Sequence, residues 1–354
     1  MEKASDGLRP VRLWLWIVFA AIVLMVAIGG TTRLTGSGLS MTTWHPLMGA
    51  IPPMGDQEWD RVFGLYKETP QYAQVNHWMR LSDFKRIFFW EYVHRLMGRL
   101  IGLVFFVPWA YFVLRGRLRG RAGLLTFVAF VLGGLQGLLG WYMVKSGLVD
   151  EPRVSHFRLA AHLLLAFLTA QYVLWLALTL GQARGNGARP PAASRAVVAF
   201  AVLLIVQITY GAFMAGLGAG AAALTFPTMN GTWTGGDIFP IESGAMAALD
   251  HPLTVHFLHR ALALVLLVLG GSVAFRSWND STWPRHWEKL LSFVLLLQVV
   301  LGALTVLYGV ALVPAVAHQV NGLLLLSTVT FGLAKRTRPG AKSGVAPAIR
   351  SPLG

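Results

Sequence analysis

A histidine-arginine pair stands near the start of two apolar runs in this chain. It occurs in Glu91-Tyr-Val-His94-Arg95-Leu-Met-Gly98-Arg99 and again in His256-Phe-Leu-His259-Arg260. Two further runs carry histidine near the start, His162 in HFRLAAHLLLAF (where His156 comes first) and His318 in LVPAVAHQVNGLLLL. Imidazole is the commonest metal ligand, and histidines on facing helices of a bundle hold a haem iron from both sides. A lone membrane histidine is more often a hydrogen-bonded core residue. Four of them, with no Asp, Glu or Cys cluster shared by all four, fit isolated zinc sites poorly. The residues point instead to bis-histidine haem in at least one half of the chain, with His94, His162, His259 and His318 as the iron ligands.

Residues three or four apart share a helix face, so Glu91 and His94 point to one side. Gly98 follows a turn later, where a flat macrocycle or a neighbouring helix can approach closely. Arg95 sits beside His94 and Arg260 beside His259, while Arg158 precedes His162 by one turn. A guanidinium at a haem edge can pair with a propionate; the alternative is snorkelling to the outer headgroups. Recurrence beside a histidine favours Arg95 and Arg260 as haem partners. Aligning the two His-Arg pairs sets Glu91 against His256, so only the first has a carboxylate three residues before its ligand. A carboxylate there could move a proton, orient the ligand or steady a positive intermediate. The asymmetry separates a reactive haem in the first half from an electron-transfer haem in the second. His156 and His256, near the outer surface, are the alternative ligands if the register is shifted.

The elements that must position these groups are membrane helices. Of 354 residues, 55% are hydrophobic and 13% charged, about half the charge of a soluble domain. Eight runs reach the ~20 residues that a span needs, at roughly 12–32, 87–114, 122–144, 156–180, 195–217, 252–275, 287–309 and 312–334. Net charge is +15, yet the basic residues lie in short loops between apolar runs, a topology signal and not a nucleic-acid face. Eighteen Lys and Arg fall on one side and eight on the other, despite the longer loops there. The positive-inside rule then places both termini in the cytoplasm; the membrane expected is a bacterial inner membrane. The four histidines share one depth near the opposite, periplasmic side. The chain contains no cysteine, which excludes disulfides and thiol redox chemistry. The first ten residues lack transit-peptide character, and the first apolar run reads as a retained helix.

The spans also repeat in order. The first and fifth end in glycine-rich exits, and the second and sixth open with His-Arg. The third and seventh share LGGLQGLLGWYMV and LLLQVVLGALTVLYG, and the fourth and eighth carry histidine. The fold expected is an all-α polytopic membrane protein of two pseudo-symmetric four-helix bundles, residues 1–183 and 184–354. With an even number of spans in each, the copies run parallel. After the first span, Arg33, Thr35, Ser37, Trp44, Pro46, Pro52 and Pro53 read either as a structured cap or as a lid over the outer haem that contacts propionates.

The run GGTTRLTGSGLSMTTWHPLMGAIPP (29–53), with EYVHRLMGR, LGGLQGLLGWYMVKSGL, VSHFRLAAHL, HFLHR and AHQ, resembles the haem A synthase family over nearly all of residues 12–335. It looks most like the alphaproteobacterial and mitochondrial branch, which lacks an outer-loop cysteine pair. The resemblance implies oxidation of the C8 methyl of haem O to a formyl group by successive hydroxylations and loss of water, giving haem A for cytochrome oxidase. It implies that Glu91, His94 and His162 serve the substrate haem, and that His259 and His318 hold haem b. His156 departs from the family pattern. Expected partners are membrane lipid, haem O synthase, an electron-transfer protein and further copies of the chain, with no nucleic acid. The rival readings are a non-enzymatic dihaem cytochrome, which gives Glu91 no role, and a haem transport protein, which predicts exchangeable haem and no modified product.

Overall fold

The computed structural model describes residues 7–42, 51–148, 151–181, 195–236 and 244–336. Eight helices among these are long and apolar enough to cross a membrane. In chain order they are α1 (Arg9–Leu34), α2 (Leu81–Leu114), α3 (Gly120–Lys145), α4 (His156–Thr179), α5 (Arg195–Leu217), α6 (Pro252–Ser277), α7 (Trp287–Leu307) and α8 (Leu312–Lys335). A backbone in lipid must satisfy its polar groups internally, which helices do. Their ends follow the chemistry of the loops. Pro10 and Pro252 start helices where a missing N–H costs nothing. Charged or glycine-containing turns close them.

The helices that touch are α1 with α2 and α4, α2 with α3, and α3 with α4. In the second half α5 meets α6 and α8, α6 meets α7, and α7 meets α8. Between the halves, α4 lies on α5, α8 on α1, and α8 on α4. That seam is polar where it is deepest. Gln171 on α4 donates to Ser327 Oγ on α8 at 3.2 Å and accepts from Thr330 Oγ1 at 2.9 Å. Gln319 on α8 donates to the Val26 carbonyl of α1 at 3.0 Å. With no hydrophobic force to press helices together in lipid, such bonds and close packing hold the seam, at about 0.6–2 kcal/mol per bond. Ser327 and Thr330 also bond carbonyls of their own helix, so Gln171→Leu strands neither. It is expected to lower the unfolding midpoint of the detergent-solubilised protein by only a few degrees, checked by thermal unfolding.

Helix α2 begins six residues before the expected start at 87. Its 34 residues span about 51 Å at 1.5 Å per residue, longer than the ~30 Å hydrocarbon core. The extra turns, LSDFKR, are stabilised outside lipid by aromatic packing. Phe84 stacks on Phe63 at 5.0 Å and on Tyr66 at 5.1 Å, and Trp59 meets Phe88 at 5.1 Å. Those partners come from a short amphipathic helix, Asp56–Lys67, in the connection after α1. Tyr66 donates to Gln71 Oε1 at 2.9 Å and accepts from Asn76 Nδ2 at 2.7 Å. Burial pushes its hydroxyl above the usual tyrosine range, opposed by the Asn76 bond. Of the expected lid residues, Trp44 and Pro46 lie outside the described residues.

Candidate functional site

The histidines hang from even-numbered helices. His162, His259 and His318 stand six or seven residues into α4, α6 and α8. Each of the four faces a glycine of an odd-numbered helix. A Cβ at Gly29 would lie 3.3 Å from His94 Nε2, one at Gly140 2.9 Å from His162 Cε1, one at Gly211 3.3 Å from His259 Cε1, and one at Gly302 2.9 Å from His318 Cε1. These glycines stand five or six residues before the ends of α1, α3, α5 and α7. All four contacts therefore sit at one depth, one to two turns below the same face.

In the second half the rings of His259 and His318 are 6.4 Å apart, centre to centre, and tilted by 68°. Two imidazoles sharing one metal, each at about 2 Å from its nitrogen, have centres about 6 Å apart. His318 Nδ1–H donates to the Gln298 carbonyl at 3.1 Å. That fixes the tautomer and makes Nε2 the acceptor nitrogen, the usual arrangement of a metal-binding histidine; Gln298 Nε2 lies 3.3 Å from it. The pair, its spacing and the glycine walls fit a haem held through two axial nitrogens. In the first half His94 and His162 lie within electrostatic reach of one another, each with its own glycine wall.

Three glutamines accompany these contacts, and the sequence reading passed over them. Gln136 Nε2 lies 3.1 Å from His162 Nδ1 and donates to the His162 carbonyl at 3.1 Å. Gln207 Nε2 donates to the His259 carbonyl at 3.0 Å, and Gln298 Nε2 to the His318 carbonyl at 3.1 Å. Each stands four residues before the facing glycine, a Gln-x-x-x-Gly spacing in QGLLG, QITYG and QVVLG. Comparing the third and seventh spans for their glutamines as well as their glycines would have revealed the first and last.

The charged residues are placed differently from a simple haem collar. Glu91 is 2% exposed. Its carboxylate accepts from Ser40 Oγ at 2.7 Å and the Met41 N–H at 2.7 Å, and from the Arg95 guanidinium. Arg95 also donates to the Met41 carbonyl at 2.8 Å. In the second half His256 stands where Glu91 stands in the first. Arg260 Nε donates to His256 Nε2 at 2.9 Å, and its other nitrogens donate to Thr228 O at 3.1 Å and Ala223 O at 3.2 Å. Both arginines thus tie the outer loop of their own half. His256 also engages Ala219 O through Nδ1, at 2.9 Å, so both its nitrogens are occupied by protein partners. Arg158 stacks on Tyr142 and donates to the Tyr142 carbonyl at 3.0 Å, an exposed contact. His156 packs against Phe157 and Phe213 at 4.0 and 5.6 Å. Arg33, in the last turn of α1, makes no side-chain hydrogen bond among the described residues.

The glycine walls are testable directly. Gly302→Ala is expected to push His318 aside and to weaken haem retention in that half, read as haem content and as the visible spectrum of the purified protein. Gly133→Ala, where a Cβ would meet nothing within 4 Å, is expected to leave both unchanged.

Residues 12–330 match a family profile described as cytochrome oxidase assembly protein. The chain is 42% identical over 329 residues to a protein named heme A synthase from Nitrosospira multiformis, covering 91% of this chain and 92% of that one. It is 41% identical to the heme A synthase of Nitrosomonas eutropha, covering 93% and 94%, and 39% identical to that of Sinorhizobium fredii, covering 92% and 89%.

Proposed function

The chain belongs to the cytochrome oxidase assembly protein family, and from that premise we propose that it is a haem A synthase, converting haem O to haem A. The observation that carries the reading is the pair of glycine-walled histidine clefts, only one of which has a carboxylate beside it. In this reading residues 1–183 form the substrate unit, where His94 and His162 take haem O. Glu91 stands one helical turn from His94. Held by Ser40, Met41 and Arg95, it closes the outer end of the cleft and keeps water from the methyl group being oxidised. Arg33 is the guanidinium best placed to meet a propionate, since Arg95 and Arg260 are engaged by loop carbonyls.

Residues 184–354 form the second unit, where His259 and His318 hold haem b. Haem b supplies one-electron redox chemistry when bound. His318 donates Nδ1–H to the Gln298 carbonyl, which leaves Nε2 as the acceptor nitrogen that would meet the iron in place of the Gln298 amide now 3.3 Å away, while Arg260 and His256 fasten the loop above. The distribution of Lys and Arg supports cytoplasmic termini in a bacterial inner membrane, with both clefts toward the periplasm. Haem O synthase, as the source of substrate, an electron-transfer protein and a second copy of the chain complete the expected partners.

The deciding experiment uses a host that makes no haem A, with and without haem O synthase. The protein is purified, and its pigments are extracted and separated with mass detection. Haem A or its hydroxylated precursor is expected only where haem O is supplied. Haem b alone in both cases, with intact histidine-ligated spectra, would overturn the reading in favour of a dihaem electron carrier.

A further inference from the structure

The four histidines share a glycine wall but not an outer partner. Three have a glutamine four residues before the glycine, bound to the histidine's carbonyl. In the fourth, the glycine is Gly29, and the residue four before it is Met25. Methionine has no donor to offer a carbonyl or a ring nitrogen. Its methyl instead lies 3.6 Å from where a Cβ of Gly98 would be, one turn beyond His94. Among the described residues the His94 side chain has no hydrogen-bond partner.

The glutamines are themselves prepared for a partner. Gln298 is held by Asn321, whose Nδ2 donates to Gln298 Oε1 at 2.7 Å, which turns the Gln298 amide nitrogen toward His318. Gln136 Oε1 and Gln207 Oε1 are buried with no partner, and so is His259 Nδ1. Such orphans are costly. Gln207 Nε2 lies 3.3 Å from His259 Nε2. A metal-bound imidazole donates its second N–H to a carbonyl oxygen, so once Nε2 is taken by iron, a turn of the Gln207 amide that sets Oε1 on His259 Nδ1–H would remove two orphans at once.

We propose that Gln136, Gln207 and Gln298 are positioning residues that lock three of the four iron ligands. Met25, at the fourth, leaves His94 the loosely held ligand, the side by which haem substrate enters and product leaves. The assignment of substrate to this cleft rests on the function proposed above. A site that must bind and release on every turnover needs one ligand that lets go, whereas a resident haem needs two that do not. The register supports that division: both residues facing the His259–His318 pair are glutamines, and only one of the two facing His94–His162 is.

The test exchanges the two residues. Full-length holoprotein carrying Met25→Gln or Gln207→Met is mixed with excess apomyoglobin, and haem transfer is followed by absorbance. The transferred haem is then extracted and identified, which separates the two clefts. Outer partners of metal ligands are typically worth 10–100-fold in affinity. Met25→Gln is therefore expected to slow release from the first cleft about tenfold or more, an effect that misfolding cannot mimic. Gln207→Met is expected to speed release from the second by a similar factor and to shift its midpoint potential. Release from the first cleft that is unchanged or faster in Met25→Gln overturns the proposal, as does unchanged release in Gln207→Met. Neither measurement requires turnover. If haem A forms while these rates do not move, the proposal fails and the enzymatic reading stands; if the rates move and no haem A forms, the reverse holds.

Discussion

Replacing Glu91 with alanine is expected to abolish haem A formation while the haem of the second half stays bound. The carboxylate accepts three hydrogen bonds at a site 2% exposed. Removing it leaves the Arg95 charge, 12% exposed at its side chain, with the Met41 carbonyl and without its counter-ion. Breaking a buried ion pair from one side costs about 3–5 kcal/mol. That cost falls on the connection between α1 and α2, which Glu91 and Arg95 grip together. Glu91→Gln keeps the shape but turns an amide donor toward groups that all donate, so it is expected to fail as well. At about 1.36 kcal/mol per factor of ten, a closure weakened by about 3–5 kcal/mol leaves product roughly 100-fold or more below wild type for both variants. Pigment analysis measures the product, and limited proteolysis between residues 51 and 80 measures the loop. Unchanged product with either variant would remove Glu91 from the mechanism.

His259→Ala or His318→Ala is expected to empty the second cleft. The two rings are 6.4 Å apart, so neither can replace the other. His256 cannot substitute while Arg260 and Ala219 occupy its nitrogens. Haem content should fall by about half if each unit holds one macrocycle through two axial ligands. The alkaline pyridine spectrum of purified protein measures this. On the function proposed above, in which the second unit supplies the one-electron chemistry, product should fall with it. Full haem content with an unaltered low-spin spectrum in both variants would show that these histidines are not the ligands.

Most of the fold is legible along the chain because lipid imposes a one-dimensional rule: an apolar run of sufficient length becomes a helix. Seven of the eight spans start within about three residues of expectation, well inside the usual error of such boundaries. The exception, α2, is extended by aromatic residues that come from 59–66, a contact that no local pattern announces. The histidines are legible because a titratable group inside a span is costly and so stands out. The glutamines are not, because a neutral amide in an apolar run can as easily bond its neighbours for packing alone. Their meaning appears only when α3, α5 and α7 are seen to set each one against a histidine. The arginines show the opposite limit. Arg95 and Arg260 sit beside histidines in sequence, yet their guanidiniums reach carbonyls of residues 41 and 223–228, which loop folding alone brings near.

The common depth of the four glycine–histidine contacts has an energetic consequence. Carrying one elementary charge through the full bilayer against 100 mV costs about 2.3 kcal/mol, which would couple turnover to the energised state of the cell. On the function proposed above, an electron passing between clefts that lie level with each other would move in the plane of the membrane and cross almost none of that field. In that reading such a transfer would be electroneutral with respect to the membrane, neither drawing on the proton-motive force nor adding to it.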